Sequence, residues 1–575
     1  MDPQHIPSHA VVGAARVNLN RYCGALLGGV LVALAALPTP TKAATKDTLV
    51  IGMTQYPATF HPSINSMLAK SYVLAMTRRP ITVYDHDWQL ICMLCETLPT
   101  FENGLAVRET TSEGKPGVAV TYTLRGDATW GDGTPLTTAD VLFTIEVGKH
   151  LQSGISNAEL YRRILSVDVV DDHTFTLHLD RLTFSYNAVN DLELLPAHIE
   201  RPIFEAGPET YKTRTAFDTD PTNPGLAYGP YRLTDAETGS HVVLEPNPTW
   251  WGTPPAFNRI VVRTIENTTA LEANLLSGAI DMIPGELGLS IDQAIAFEKR
   301  NRPGFTVTYK AGLIYEHIDL SLDNSILADI RVRRALLHAL DRERIVAALF
   351  GGKQPVAHGP VSPLDWVHAD DIPITAYDPD AAKALLDEAG WKTGPDGIRI
   401  NAAGDRLSLR IMTTAGNRLR ELVQQTAQSM WKQVGAQVRI ENEPPRVFFG
   451  ETMTKRKVNG MAMYAWISSP ENVPHTTLHS TQIPSAENNY AGQNYPGYAD
   501  PEMDALINAV ELELNPDARK KIWRDIQVKY ATDLPVLPLY FRANAFVLPN
   551  WLSGVRPTGH QYSTTLWIED WKHTP

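Results

Sequence analysis

Residues Asp323–Gly352 read DNSILADIRVRRALLHALDRERIVAALFGG, the most clearly punctuated stretch of the chain. Asp329 is placed to N-cap a helix whose apolar positions Val332, Leu336, Ala339 and Leu340 recur at three- and four-residue steps. Asp341 is placed to cap a second helix, with Ile345, Val346 and Leu349 on one face, and Gly351–Gly352 ends it. Arg331, Arg333 and Arg334 stay between the apolar steps. A kinked helix pair docked on a core accounts for the pattern, and its arginines need no site to explain them.

With 575 residues the chain is too long for one ordinary core, and about two to four domains are expected. Hydrophobic residues make up 43% and charged residues 20%, the composition of a soluble globular protein. The formal charge is -13, from 51 basic and 64 acidic residues, which disfavours nucleic acid because phosphate binding needs a basic face. At the N-terminus, Arg16 and Arg21 precede an apolar run from Gly24 to Leu37, then Pro38, Pro40 and Thr41-Lys42-Ala43. This reads as a signal peptide over 1–43, too short for a membrane helix, which needs about 18 apolar residues. Export to the periplasm as a soluble protein is the expectation.

Cys23 leaves with that segment, so Cys92 and Cys95 in QLICMLCETLP form a lone CxxC. A redox motif wants a βαβ context that is missing, and a zinc site wants two further ligands. A local disulfide, or two buried small residues, fits an oxidising compartment better.

In chain order, Thr48–Met53 reads as a strand, followed by the proline-bearing loop QYPATFHPSIN at 55–65. Val118–Leu124 alternates as a strand, RGDATWGDGTP at 125–135 is turn material, and Thr137 with Asp140 suggests a helix start. Asp132 and Trp130 there serve as turn and helix-entry residues. Val167–Leu179 reads as a hairpin around Asp171-Asp172-His173. Leu271–Ile283 gives a helix stopped at Gly278 and then a short strand, and Tyr377–Trp391 a helix with Pro379 in its first turn. Strand Leu407–Thr413, helix Arg418–Val434 and strand Ala436–Glu441 form a parallel α/β unit, and Met461–Ile467 is an apolar strand.

The segments LSLDNS followed by LADIRVRRALLHALDRERIV, TYTLRGDATWGDGTPLTTADVLFT, YGPYRL, EPNPTWWG, LEANLLSGAIDMI and LPVLPLYF together resemble the family 5 bacterial extracellular solute-binding proteins. These are the dipeptide-, oligopeptide- and nickel-type binding components of ATP-binding-cassette importers. The resemblance runs from about residue 45 to 575. It implies an α/β fold, periplasmic-binding-protein-like class II (cluster C), with two lobes, a hinge and an inserted extra domain. The expected division is lobe I from 44–80, 195–318 and 541–575, the inserted domain 81–194, and lobe II 319–540. The resemblance also implies that Asn65, Ser66 and Met67, after the Phe60-His61-Pro62 loop, line the ligand cleft; His61 stands there in place of the usual acid.

Enzyme signatures are missing: no GxSxG, no HExxH and no GxxxxGK[ST] occurs. No catalytic residue, metal site or cofactor is expected. His475 and His479 in HTTLH would face one metal only if helical, and two threonines with Pro474 in front favour a loop. Peptide binders of the family commonly place an aspartate just after the cleft strand, where it pairs with the peptide's ammonium. Here that position holds Trp466, and Glu471 is the nearest acid. Tyr464 and Trp466, with Ala465 and Ile467, instead offer a strand end with aromatic surfaces for a planar or cationic group. Asn494 and Tyr495 are further cleft candidates, and Arg418 at a helix start suits a carboxylate. The expectation is a monomeric binding protein that takes a peptide or peptide-like small molecule and hands it to an ABC permease. An opine, an oligosaccharide or a chelated metal on the same scaffold is the alternative, and a secreted hydrolase the distant one.

Overall fold

The structure is a computed structural model that describes residues 46–574 except 65, 66, 157, 266, 301, 489 and 491. The segment 1–43 read as a signal peptide, with Cys23, lies outside the described residues, as do the site candidates Asn65 and Ser66. Among the described residues no helix is long and apolar enough to cross a membrane.

The punctuated stretch folds as its spacing requires. Asp329 accepts the Arg331 N–H at 2.9 Å and caps helix Ile330–His338. Asp341 accepts the Arg344 N–H at 2.9 Å and caps helix Arg342–Phe350, which Gly351 ends at φ 57°. Val332, Leu336, Leu340, Ile345 and Val346 are buried, each contributing roughly 1.5–3 kcal/mol of apolar burial. The arginines bind carbonyls of neighbouring segments. Arg333 donates to Leu327, Ala328 and Asp533, Arg334 to Thr532, and Arg342 to Ala357 and Thr375. They pin chain ends that would otherwise leave buried carbonyls unpaired.

Three sheets organise the chain. In the first, Thr48–Met53 runs parallel to Arg259–Thr264, which pairs antiparallel with His241–Pro246 and then Tyr231–Glu237. In the second, Ala106–Thr110, Pro116–Thr123, Thr174–Leu179 and Ile164–Val169 form an antiparallel sheet backed by helix Thr138–Lys149. That helix starts at the expected capping box of Thr137 and Asp140, and Asp140 also accepts the buried Trp130 indole N–H at 3.2 Å. The Cys92–Cys95 disulfide lies beside this sheet. The third sheet is mixed, in the order Gln437–Ile440, Ser408–Met412, Met461–Trp466, Phe305–Leu320, Val536–Pro549.

The two long strands of the third sheet, Phe305–Leu320 and Val536–Pro549, tie the cores together. Residues 305–311 pair with 543–549, the register breaks between Ala311 and Tyr315, and pairing resumes from Tyr315 with Phe541 to Asp319 with Val536. At the break, the Leu313 N–H binds the Gly559 carbonyl at 2.9 Å. A Cβ on Gly312 would sit 2.2 Å from that same oxygen, so only glycine fits there. Beyond the break, alternate residues of the closing strand feed different cores. Phe546 and Leu548 pack with the first sheet, Ala545 and Val547 with the helices behind the third.

Glu316 sits just past the break, fully buried. It accepts from Arg420 Nε at 2.6 Å and is paired with Arg542 at 2.6 Å. Burial alone would push its carboxyl up, but the guanidiniums of Arg542 and Arg420 outweigh that and hold it below the usual carboxylate range. A depressed native pKa adds stability above the unfolded value of about 4.3, which is lost as pH falls through the native one. Glu316→Gln should cost about 3 kcal/mol at neutral pH, since it takes the carboxylate away from the buried Arg420 and the half-buried Arg542. Urea unfolding from pH 7 down to pH 3 should also show a shallower acid loss in the variant than in the wild type.

Candidate ligand-binding site

Alternation along the long strand sets Tyr315, His317 and Asp319 on one face and Glu316, Ile318 and Leu320 on the other. The antiparallel register with the inner strand Met461–Trp466 places Trp466 opposite Tyr315 and Tyr464 opposite His317. Tyr315, His317, Asp319 and Trp466 line a cavity of about 350 Å³. Ile467 and Ser468 continue its wall, the helical turn bearing Thr476 and Thr477 and the loop bearing Gln493 close one side, and Trp523 and Tyr530 of helix Pro516–Asp533 form the floor.

Polar groups on this wall bind one another. The Tyr464 hydroxyl donates a short hydrogen bond to Asp319 Oδ2. Asp319 Oδ1 lies 3.3 Å from His317 Nε2. His317 Nδ1 is 3.1 Å from the Tyr315 carbonyl and must donate there, because a carbonyl only accepts. The Tyr315 and Tyr530 hydroxyls bind each other at 3.0 Å. Burial, followed by the Asp319 carboxylate, holds the Tyr464 phenol well above its ordinary value, so it remains a neutral donor. The indole N–H of Trp523 has no partner among the described residues.

Aromatic packing fixes the mouth. Trp466 meets Tyr464 edge-on at 5.4 Å and stacks with Tyr495 at 6.2 Å and 24°. Trp466 and Tyr495 are half-buried, Ala465 likewise, and Ile467 is 56% exposed at the rim. Tyr464, on the same face but deeper, is fully buried. Asn494 is fully buried too, its amide spent within its own loop: it donates to His479 and Tyr498 carbonyls and accepts the Tyr498 N–H. Arg418 is exposed at the start of helix Arg418–Gln433, two residues before the buried Arg420. Met67 N-caps helix Leu68–Leu74 and packs on the core of the first sheet, away from this cavity.

The loop before Met67 explains the histidine that replaces an acid. His61 is fully buried, and its Nδ1 accepts the N–H groups of Ser63 and Ile64, each at 3.2 Å. Its Nε2 then donates to the Tyr211 hydroxyl at 3.1 Å. Burial pushes this imidazole well below its ordinary pKa, so it stays neutral and caps the turn as a carboxylate would.

The expectation of a loop at HTTLH is corrected. His475–Leu478 forms one helical turn with Pro474 at its N-cap, where a missing N–H costs nothing, and the His475 and His479 rings stack at 4.8 Å. Still, no group of three or more His, Cys, Asp or Glu among the described residues is placed to hold a metal. Glu471, the acid nearest Trp466 in sequence, is engaged elsewhere. It accepts a short hydrogen bond from the Trp366 indole and lies 3.6 Å from Arg519, and burial pushes its carboxyl up to about 7. The carboxylate on the cavity wall is Asp319 instead.

Sequence reasoning missed Tyr315, His317, Asp319, Trp523 and Tyr530. A signal was present for the first three: polar side chains crowded into the second half of a strand long enough to be buried, where burial demands a reason.

The chain also has recognisable relatives. A model of "Bacterial extracellular solute-binding proteins, family 5 Middle" matches residues 100–485. The oligopeptide-binding protein AppA of Bacillus subtilis is 26% identical over 494 residues, 84% of this chain and 87% of that protein. Among solved structures, the oligopeptide-binding protein of Thermus thermophilus, complexed with a pentapeptide, superposes with a TM-score of 0.70 at 30% identity. That match covers 92% of this chain and 96% of the other. NikZ of Campylobacter jejuni, solved with Ni(L-His), gives a TM-score of 0.70 at 24% identity over 92% of this chain and 99% of its own, which speaks to the fold alone. The mixed sheets, the two crossover strands and the recessed cavity are thus those of a two-lobed class II periplasmic-binding-protein fold, and the chain belongs to the family 5 bacterial extracellular solute-binding proteins.

Proposed function

We propose that this protein is the exported, periplasmic solute-binding component of an ABC importer. It acts as a monomer without cofactor, catalysis or nucleic acid, encloses a peptide or peptide-like small molecule, and hands it to the membrane permease. The observation that carries this is the cavity under Trp466, polar at its base and aromatic at its mouth, in a chain of this family. Its volume of about 350 Å³ lies near the low end of small-molecule sites, enough for one or two groups of a longer ligand.

The lobes in this proposal are 44–80 with 195–318 and 541–575, and 319–540, with 81–194 as the inserted domain. Contacts across that division support closure over a ligand. The Phe184 N–H donates to the Glu511 carbonyl at 2.9 Å, and the Arg519 guanidinium lies 3.8 Å from the centre of the Phe184 ring. Arg181, beside Phe184, acts on His475 through its charge. Closure of this kind needs only higher affinity for the closed state, with no covalent step.

The ligand class is tested by melting the protein with di- to pentapeptides. A peptide at a hundred times its dissociation constant should add about 2.7 kcal/mol of stability, and a full panel without effect on the melting curve or tryptophan fluorescence removes the peptide assignment. Trp466→Ala should weaken binding by roughly tenfold or more at unchanged fold, as loss of an aromatic anchor does. Equal affinity in that variant would mean that the ring only seals the wall. Phe184→Ala should leave the isolated fold intact and raise the ligand off-rate several-fold, by about the worth of one cation–π contact. Stopped-flow release reads this directly, and an unchanged off-rate separates the Phe184 contact from closure.

A further inference from the structure

Glu471 follows the inner strand with its backbone in the left-handed region, at φ 56°, where a residue other than glycine is held by its surroundings. Its N–H donates to Asp365 Oδ2 at 2.8 Å, and its Oε1 accepts a short hydrogen bond from the Trp366 indole. The other oxygen, Oε2, is buried without a hydrogen-bond partner among the described residues. It faces Arg519 Nε, equally without one, at 3.6 Å. A charge-assisted bond would close to about 2.8 Å, so this ion pair is in place but not joined. The segment proposed as the inserted domain covers it. The Arg519 guanidinium lies 3.8 Å from the centre of the Phe184 ring, and that ring lies 6.4 Å from Trp366. Tyr84 is near enough that Glu471, Asp365 and Arg519 all act on its phenol through their charges. Under this cover Glu471 is 11% exposed and Arg519 2%. A carboxylate shut away without a made ion pair sheds its charge by taking a proton, and burial pushes Glu471 up to about 7. Asp365 is spent on the backbone, accepting the N–H groups of Glu471 and Val367.

Resting on the lobe closure described above, we propose that the unliganded protein takes a proton from solvent onto Glu471 Oε2 as Phe184 and Tyr84 seat over the Glu471–Arg519 pair, so that acid favours the closed form. On opening, water reaches the carboxyl, the proton returns to solvent, and Arg519, released from the ring, closes the 3.6 Å gap to the carboxylate. The closed form therefore holds one more proton between the ordinary glutamate value of about 4.3 and a value of about 7. Closure gains as pH falls through that upper value and levels off below the lower one. The other groups facing the pair do not imitate this. Burial holds the Tyr84 phenol above its ordinary value, so it stays neutral, and Glu511 acts on Arg519 from the neighbouring helix. His368 lies beside Asp365 and Asp370, on the same lobe as Glu471. His475 faces Arg181 of the inserted domain, and its protonation would push the two sides apart, the opposite response.

The Phe184 amide reports closure directly, because its N–H crosses to the Glu511 carbonyl at 2.9 Å. Hydrogen exchange of the unliganded protein, read by mass spectrometry as protection of this amide over its free-peptide rate, tests the link. In the wild type, protection should rise roughly tenfold from pH 8 to pH 6. Glu471→Gln carries the neutral form at every pH and should hold the high protection at both. Its melting temperature checks the fold. Where that variant does not fold, Phe184→Ala takes its place: with the cover gone, the pH response of the amide at 184 should vanish.

Equal protection at pH 6 and pH 8 in the wild type overturns the proton link while closure stands, and so does a response that survives in the variant. Protection that falls toward pH 6 assigns the response to His475 and overturns the link as well. Exchange at the free-peptide rate at both pH values means that the Phe184 contact does not form in the unliganded protein. That result overturns the proton link together with the contact, and leaves solute binding to the peptide melting series.

Discussion

Two strands, Phe305–Leu320 and Val536–Pro549, lie side by side through a break in register between Ala311 and Tyr315 and a further shift between Glu316 and His317, and the remainder of the molecule depends on that pairing. Along their whole length they form the edge and the second strand of the third sheet, and an isolated bridge from Ile283 to Val547 is their link toward the first. Slipping either strand by one residue would exchange its faces. Glu316 would then turn from Arg420 and Arg542 toward the cavity, and Asp319 would turn from the cavity into the core. Both exchanges bury unpaired charge, so the register is fixed by electrostatics as firmly as by apolar packing. Gly312 and the Gly559 carbonyl set where the break falls, because no other residue fits that approach.

Much of the scaffold is legible from local chemistry. Caps at Asp329, Asp341, Thr137 and Asn417 use side-chain oxygens within a few residues of the N–H groups they satisfy, and Gly351 ends its helix in the left-handed region. Such signals need no tertiary context. The helical turn at His475 is where local rules mislead. Threonines disfavour a helix, yet four residues are held by the turn that follows Pro474, and packing outweighs a few tenths of a kcal/mol of propensity.

The binding site is less legible, for a physical reason. Trp466 announces itself as an aromatic residue at the end of an apolar strand. Asp319 does not, because its meaning depends on which face of a sixteen-residue strand meets a cavity. That face is set by pairing with residues 461–466 and by helix Pro516–Asp533, both far along the chain. Asn494 and Tyr464 carry polar atoms next to the site, but their hydrogen bonds are made inside the protein, so polarity alone cannot separate a ligand contact from a strut. A carboxylate is present, but it comes from the neighbouring strand and lies on the cavity wall.

Closure makes a separate demand on such a cavity. By the proposed division Tyr315 and His317 end the first lobe, and the other lining residues, from Asp319 to Val536, belong to the second. A group that touches only the second-lobe walls would have the same affinity whether the lobes are open or closed, and could not shift the equilibrium between them however tightly it binds. In the proposed function, closure would draw on the part of the ligand that projects past Trp466, or on protein contacts such as Phe184 against Arg519. On that reading the recess would select one group of the ligand while the remainder drives closure, which favours a solute longer than the recess itself.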